Sequence, residues 1–94
     1  MAASLPIRRH IYYTGHVQGV GFRWTARHIA QGFAVTGFVK NLADRRVELV
    51  AEGAAAEVDR FCAEIAERFG ANIRDITVNE SPFTGEFSTF EVVH

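Results

Sequence analysis

The sequence predicts an α+β sandwich, in which two helices pack on one face of an antiparallel sheet, and three observations predict it. Strand-favouring and helix-periodic segments follow one another in the order β-α-β-β-α-β, with one further strand at the end. The chain has 94 residues, 48% of them hydrophobic, which is enough for one two-layer core but not for a second independent domain. No linker or internal repeat interrupts the chain after Ile7. We therefore expect one domain over residues 1–94, with a loose tail at residues 1–6.

The first half of the chain predicts a strand, a helix and a hairpin. Residues 10–14 are rich in strand-favouring side chains and stop at Gly15, where a glycine-rich turn begins. Apolar residues then recur at helical spacing from Phe22 to Phe33, which predicts an amphipathic helix. Residues 35–41 and 46–52 are extended and close enough in sequence to form a hairpin. The apolar residues that share one face of the second of these segments are Val47, Leu49 and Ala51.

The second half predicts a longer helix and two strands. Apolar residues on one side and charged residues on the other predict a helix over residues 55–69, which ends at Gly70. Residues 73–79 and 86–93 are extended and are separated by a turn at Ser81–Gly85. This order of elements is the split βαβ arrangement of ferredoxin-like sandwiches.

The predicted topology brings two distant segments together. In a split βαβ unit the first and second strands run parallel with another strand between them, so their carboxyl ends lie at the same edge of the sheet. We therefore expect the loop of residues 15–21 to lie beside Asn41, at the end of the second predicted strand.

The glycine-rich loop is a candidate anion-binding site. It reads Gly15-His-Val-Gln-Gly-Val-Gly-Phe-Arg23, and it leaves a strand and enters a helix. Backbone N–H groups and the positive end of a helix dipole converge at such a place, and glycine allows the backbone to approach a ligand closely. The loop lacks the Gly-Lys-Ser/Thr ending of a Walker loop, and Trp24 stands where a dinucleotide fingerprint has its third glycine.

Arg23 and Asn41 are the candidate functional side chains. A cation in the first turn of a helix opposes the helix dipole by roughly 0.3 to 1 kcal/mol, and a bound anion would reverse the sign of that effect. An arginine that extends into solvent is the alternative interpretation for Arg23. Asn41 has an ordinary role as a turn former, but a carboxamide beside an anion-binding arginine can also orient a water molecule.

Other polar residues have simpler interpretations. The side chain of Gln18 is more easily explained by structural hydrogen bonds than by a catalytic role. His16 and His28 are interpreted as solvated histidines, and the four histidines form no metal-ligand pattern. The single cysteine, Cys62, is interpreted as a small core residue. We therefore expect neither a metal nor a cofactor.

Charge and hydropathy favour a protein with small ligands. The formal net charge is -1, and the ten basic residues form no run that could bind nucleic acid or an anionic membrane. No apolar stretch approaches the roughly 20 residues of a membrane span, and the first nine residues contain no signal-peptide apolar region. We expect a cytoplasmic monomer without nucleic-acid or membrane partners.

Three motifs resemble those of the acylphosphatase family. They are G-H-V-Q-G-V-G-F-R at residues 15–23, G-F-V-K-N at residues 37–41 and D-R-R-V-E at residues 44–48, and the resemblance extends from about Arg8 to Val93. It implies an enzyme that hydrolyses the carboxyl–phosphate bond of small acyl phosphates to a carboxylate and inorganic phosphate, without a metal.

The resemblance also implies roles for individual residues. Arg23 and the loop amides would hold the phosphoryl oxygens, Asn41 would position the attacking water, and the substrate's own phosphate would accept the water proton. Inorganic phosphate would act as product and inhibitor. The phosphate-binding residues that the resemblance implies are Gly15, His16, Val17, Gln18, Gly19, Val20, Gly21 and Arg23.

The sequence departs from the family pattern at the hairpin, where Asp44 is followed by Arg45 and not by the usual glycine. This difference concerns the turn more than the chemistry. Two alternatives to an enzyme remain, a phosphate-sensing or regulatory module and an RNA-binding ferredoxin-like module. The lack of aromatic residues over residues 46–52 argues against the second alternative.

Overall fold

The strands and helices follow the predicted order. The structure is a computed structural model that describes residues 5–94. Its elements are β1 (Pro6–Gly15), α1 (Phe22–Ala30), β2 (Thr36–Asn41), β3 (Val47–Ala54), α2 (Ala55–Phe69), β4 (Ile73–Pro82) and β5 (Phe90–Val93). The strands form one sheet in the order β4-β1-β3-β2-β5. Within the described residues, no helix is both long and apolar enough to cross a membrane.

The two helices and one face of the sheet enclose the core. The residues of β3 predicted to share a face, Val47, Leu49 and Ala51, are all buried in it. Phe22, the first residue of α1, stacks on Phe69 of α2 with 4.4 Å between ring centroids. This aromatic contact anchors the start of α1, directly after the glycine-rich loop. Cys62 is partly buried against the same core, and its burial raises the pKa of the thiol.

The sheet topology places the ends of β1 and β2 at one edge. β3 pairs antiparallel with both β1 and β2, so β1 and β2 run parallel with β3 between them, as predicted. The sheet is nevertheless mixed, because β5 pairs with β2 in parallel. The expectation of a wholly antiparallel sheet was wrong for this last strand.

The mixed pairing results from a long connection between β4 and β5. β4 lies at one edge of the sheet and β5 at the other, so residues 83–89 must cross between them. Phe87 in this connection meets Phe38 of β2 edge-on at 5.9 Å between centroids, and the guanidinium of Arg8 lies 5.5 Å from the Phe87 ring. The connection therefore covers part of the sheet face opposite the helices.

A buried carboxylate holds the connection in place. Glu52 of β3 is fully buried and accepts hydrogen bonds from the backbone N–H of Thr84 at 3.0 Å, from its hydroxyl at 2.7 Å and from the N–H of Gly85 at 3.0 Å. Arg8 adds an ion pair at 3.2 Å. Burial alone would raise the pKa of Glu52, but these hydrogen bonds lower it below its ordinary value.

Several element boundaries differ from those predicted. β4 continues to Pro82, into the predicted turn, and β5 is shorter than predicted because residues 83–89 form the crossing connection. α1 ends at Ala30, three residues before the predicted end. Residues 1–4 of the predicted tail lie outside the described residues, whereas Pro6 already pairs with Ala54.

Candidate active site

The loop between β1 and α1 curls back on itself. Gly19 and Gly21 have φ angles of 77° and 79°, in the left-handed region that favours glycine, and Gly21 caps the start of α1. The side chain of Val17 is fully buried and fixes the loop to the core. The loop is thus a defined structure and not a flexible linker between the strand and the helix.

The side chain of Gln18 ties the loop to the β2–β3 hairpin. Its Nε2 donates to the backbone carbonyls of Leu42 at 2.8 Å and of Arg46 at 2.9 Å. These two carbonyls lie on opposite sides of the hairpin turn that follows Asn41. The prediction of a structural role for the Gln18 side chain is confirmed, and the contact holds the loop beside the end of β2.

The hairpin turn itself tolerates the unusual Asp-Arg sequence. Arg45 has a φ of 75°, a conformation that glycine adopts without strain and that costs other residues of the order of 1 kcal/mol. Asp44 stabilises the turn by accepting hydrogen bonds from the backbone N–H of Arg46 at 3.2 Å and from its Nε at 2.8 Å.

A cleft of about 320 Å³ lies between the loop, the start of α1 and the ends of β2 and β5. The predicted site residues that line it are Val17, Gly19, Gly21, Arg23 and Asn41. The structure therefore brings the predicted arginine and asparagine, from α1 and β2, to one cavity.

Other predicted site residues lie outside this cleft. Gly15, His16 and Gln18 line a separate concavity together with Arg45, and Val17 borders both concavities. A larger cleft of about 620 Å³ is lined by Gly15, His16 and Arg45 among others, and it includes neither Arg23 nor Asn41. Val20 packs partly buried against the core.

The loop carries unpaired backbone donors. The N–H groups of residues 17–21 form no hydrogen bond with backbone or side-chain acceptors of the described chain. The N–H of His16, which was expected to bind phosphate, donates to the carbonyl of Asn72 at 2.9 Å. Gly15 pairs with Ile73 at the end of β1. The donors that remain for a ligand therefore begin at Val17.

The amide of Asn41 also has unused hydrogen-bonding capacity. Its Oδ1 is buried and has no hydrogen-bond partner among residues 5–94. Leaving a buried polar atom unpaired costs about 1–3 kcal/mol, so such an atom calls for an explanation. Asn41 lines the cleft, so this atom is available to accept a hydrogen bond from a group bound there.

Arg23 is not neutralised by an acidic side chain. Other arginines of the fold, such as Arg8, Arg9 and Arg46, form ion pairs with carboxylates. Within residues 5–94, Arg23 forms one side-chain hydrogen bond, between its Nη1 and Nδ1 of His94 at 3.2 Å. Its guanidinium therefore lines the cleft without a carboxylate partner among the described residues.

The charge of the cleft is opposite to that of the whole protein. The sequence contains no acidic residue before Asp44, although its formal net charge is -1. The side chains that line the cleft include Arg23 and Arg27 and no carboxylate. Such a concentration of one charge in a concave site attracts small anions.

Sequence reasoning missed five residues of the cleft: Phe22, Trp24, Arg27, Val92 and His94. The signal for Arg27 was present, because residues four apart on a helix share a face with one another, as Arg27 does with Arg23. Val92 and His94 reach the cleft only through the parallel pairing of β5, for which the sequence contained no signal. No group of three metal-ligating side chains occurs in the part of the chain that the structure describes.

The family model and the curated relatives agree on one family. The family model described as acylphosphatase matches residues 9–92. An acylphosphatase of Methylococcus capsulatus is 44% identical over 89 residues, which cover 92% of this chain and 95% of the relative. An acylphosphatase of Haloarcula marismortui is 47% identical over 74 residues, which cover 76% of this chain and 79% of the relative. The crystal structure of acylphosphatase from Bacillus subtilis is similar with a TM-score of 0.84 and 31% identity, covering 94% of this chain and 99% of that one.

Proposed function

This chain belongs to the acylphosphatase family, and on that premise we propose that the cleft lined by Arg23 and Asn41 is its active site. Members of the family hydrolyse acyl phosphates, so the substrate is an acyl phosphate and a product is inorganic phosphate. The proposal concerns which residues bind the substrate and which position the water.

Arg23 and the backbone amides of residues 17–21 bind the phosphoryl group. A guanidinium presents several N–H donors in a plane that matches phosphate oxygens, and unpaired amides at the start of a helix supply further donors. Two observations support this assignment: Arg23 has no carboxylate partner in the described structure, and the loop amides have no acceptor there.

Asn41 positions the attacking water. Its unpaired Oδ1 accepts a hydrogen bond from the water, which fixes the direction of approach to phosphorus. The new bond forms between the water oxygen and phosphorus, and the bond between phosphorus and the acyl oxygen breaks. The electron pair leaves with the carboxylate, and the water proton passes to a phosphoryl oxygen of the substrate.

This chemistry needs little from the protein besides placement and positive charge. Transfer of a phosphoryl group is accelerated mainly by positioning and by stabilisation of charge on the equatorial oxygens. A carboxylate leaves readily, so a general acid from the protein is unnecessary. We expect no metal requirement, and a chelator should leave the rate unchanged.

The observation that carries the proposal is that the unpaired guanidinium and the unpaired carboxamide line one cleft. Phosphate release from acetyl phosphate by Arg23 and Asn41 variants tests it. A phosphate-sensing module would bind phosphate without turnover, so the same assay separates that alternative from an enzyme.

We further propose a cytoplasmic monomer without nucleic-acid or membrane partners. The net charge of -1 argues against nucleic-acid and anionic-membrane partners, and Phe87 covers part of the sheet face that RNA-binding sandwiches use. Light scattering of the purified protein tests the oligomeric state.

A further inference from the structure

The cleft extends past the proposed phosphate site to a wall formed by α1. Trp24 and Arg27 line the same cavity as Arg23 and Asn41, and the chemistry proposed above uses neither of them. The acyl group of a bound substrate has to lie outside the loop that holds its phosphate. This wall is therefore available to contact it.

Trp24 is an exposed aromatic side chain that stacks on a neighbouring ring of α1. The chain has one tryptophan, and 67% of its surface is exposed to solvent, a high fraction for a large aromatic side chain. The indole stacks on the ring of His28, one helical turn away, with 5.1 Å between centroids and an angle of 7° between planes. A ring that is already ordered loses little entropy when a second planar group packs against it.

Arg27 is a second cation at the cleft. It is exposed, and it forms no ion pair or side-chain hydrogen bond in the described structure. It lies four residues after Arg23, so two like charges share one helix face, an arrangement that disfavours the helix when no anion is present. Arg23 is assigned to the phosphoryl group, whereas Arg27 has no carboxylate partner among the described residues.

We propose, given the function proposed above, that Trp24 and Arg27 form a subsite for the acyl group. Trp24 packs against a planar acyl group, and Arg27 pairs with a second negative charge on it. The substrate class is thus an acyl phosphate whose acyl group is planar and carries a carboxylate or a similar anion. The two residues determine specificity and take no part in bond breaking.

Three acyl phosphates separate the contribution of the Trp24 stacking contact from that of the Arg27 ion pair. Acetyl phosphate has neither feature, benzoyl phosphate has the planar group alone, and 4-carboxybenzoyl phosphate has both. We would measure kcat/KM for each with the unaltered protein, Trp24→Ala, Trp24→Phe and Arg27→Gln. Arg68→Gln, on the exposed side of α2, serves as the matched control. Ratios normalised to the unaltered protein cancel the different intrinsic reactivities of the substrates.

Trp24→Ala should lower the ratio of benzoyl to acetyl phosphate about 2- to 10-fold, the range for one aromatic contact, and Trp24→Phe should restore most of it. Arg27→Gln should lower the ratio of 4-carboxybenzoyl to benzoyl phosphate about 2- to 5-fold at low salt, as expected for one exposed ion pair. Added salt should reduce the same ratio in the unaltered protein but not in Arg27→Gln.

The subsite is wrong if both ratios stay within about twofold of their original values in Trp24→Ala and Arg27→Gln. That result leaves the proposed function intact, provided that Arg23 and Asn41 variants still lose turnover. Full turnover in those variants would overturn the proposed function and the subsite with it.

Discussion

The Nη1 atom of Arg23 lies 3.2 Å from Nδ1 of His94, so the residue after β5 contacts the guanidinium that we assign to phosphate binding. Arg23 comes from α1 and His94 from the far end of the chain, and the parallel pairing of β5 with β2 brings them together. The contact limits the orientations of the guanidinium before substrate arrives.

His94→Ala should therefore weaken substrate binding more than it slows turnover. One net hydrogen bond contributes about 0.5–1.5 kcal/mol, which corresponds to a rise in KM of roughly 2- to 10-fold. His94→Gln keeps a hydrogen-bonding side chain and should recover part of the loss. The measurement is steady-state hydrolysis of acetyl phosphate, and an unchanged KM in His94→Ala would show that the contact does not orient Arg23.

Asn41→Ala should lower kcat by about 10²- to 10³-fold, the usual cost of removing one preorganised group. Inorganic phosphate should still inhibit the variant, because Arg23 and the loop amides remain. Phosphate release and phosphate inhibition are measured on the same preparation. Asn79→Ala, which alters an exposed asparagine of β4, is the matched control. Normal turnover in Asn41→Ala would remove Asn41 from the mechanism.

Arg23→Gln should weaken both turnover and the binding of inorganic phosphate. Loss of the guanidinium removes the main positive charge at the phosphoryl group, so turnover should fall and the inhibition constant for phosphate should rise. Arg23→Lys keeps the charge but not the planar set of donors, so it should recover binding only partly. Competitive inhibition by phosphate at the original strength in Arg23→Gln would contradict the assignment.

Glu52→Gln should destabilise the fold by about 1–3 kcal/mol, because a charge-assisted acceptor is replaced within a buried set of donors. The folded-state pKa of Glu52 is lowered, so its charge contributes stability above the pKa of the unfolded chain, and that contribution is lost as the pH falls through the folded-state value. Denaturant unfolding between neutral pH and about pH 3 measures this difference. The difference in the free energy of unfolding between the original protein and Glu52→Gln should become smaller as the pH falls. Glu64→Gln, at an exposed position of α2, should change the free energy of unfolding little at any pH. A difference in stability that stays constant with pH would mean that the negative charge of Glu52 does not cause it.

The parts of the fold that the sequence could predict are those specified by local periodicity and by chain order. The spacing of apolar residues indicated α2 at its observed bounds, and the split βαβ order placed the loop beside Asn41. Arg27 was predictable from its spacing to Arg23. All of these signals lie within one element or follow from the order of elements.

The parts that could not be predicted depend on contacts between residues far apart in sequence. The crossing of residues 83–89 depends on hydrogen bonds to Glu52. The sequence pattern of β3 predicts that Glu52 lies on an exposed face of the strand, whereas the structure buries it. The N–H of His16 is occupied because the turn before β4 presents the carbonyl of Asn72 to it. Neither partner can be identified from the loop or the strand alone.

The contact between Gln18 and the hairpin predicts that a residue outside the cleft controls the geometry within it. The Nε2 of Gln18 satisfies the carbonyls of Leu42 and Arg46, and Asn41 directly precedes Leu42. Gln18→Ala removes both hydrogen bonds, so the loop amides and Asn41 lose their fixed separation, and a displacement of about 1 Å is enough to cost 10²-fold in rate. We expect kcat/KM for acetyl phosphate to fall at least about 10-fold and the free energy of unfolding to fall by about 1–3 kcal/mol. Gln31→Ala, at an exposed position after α1, controls for loss of an amide. A destabilised Gln18→Ala with undiminished kcat/KM would mean that the contact supports the fold alone and does not align the site.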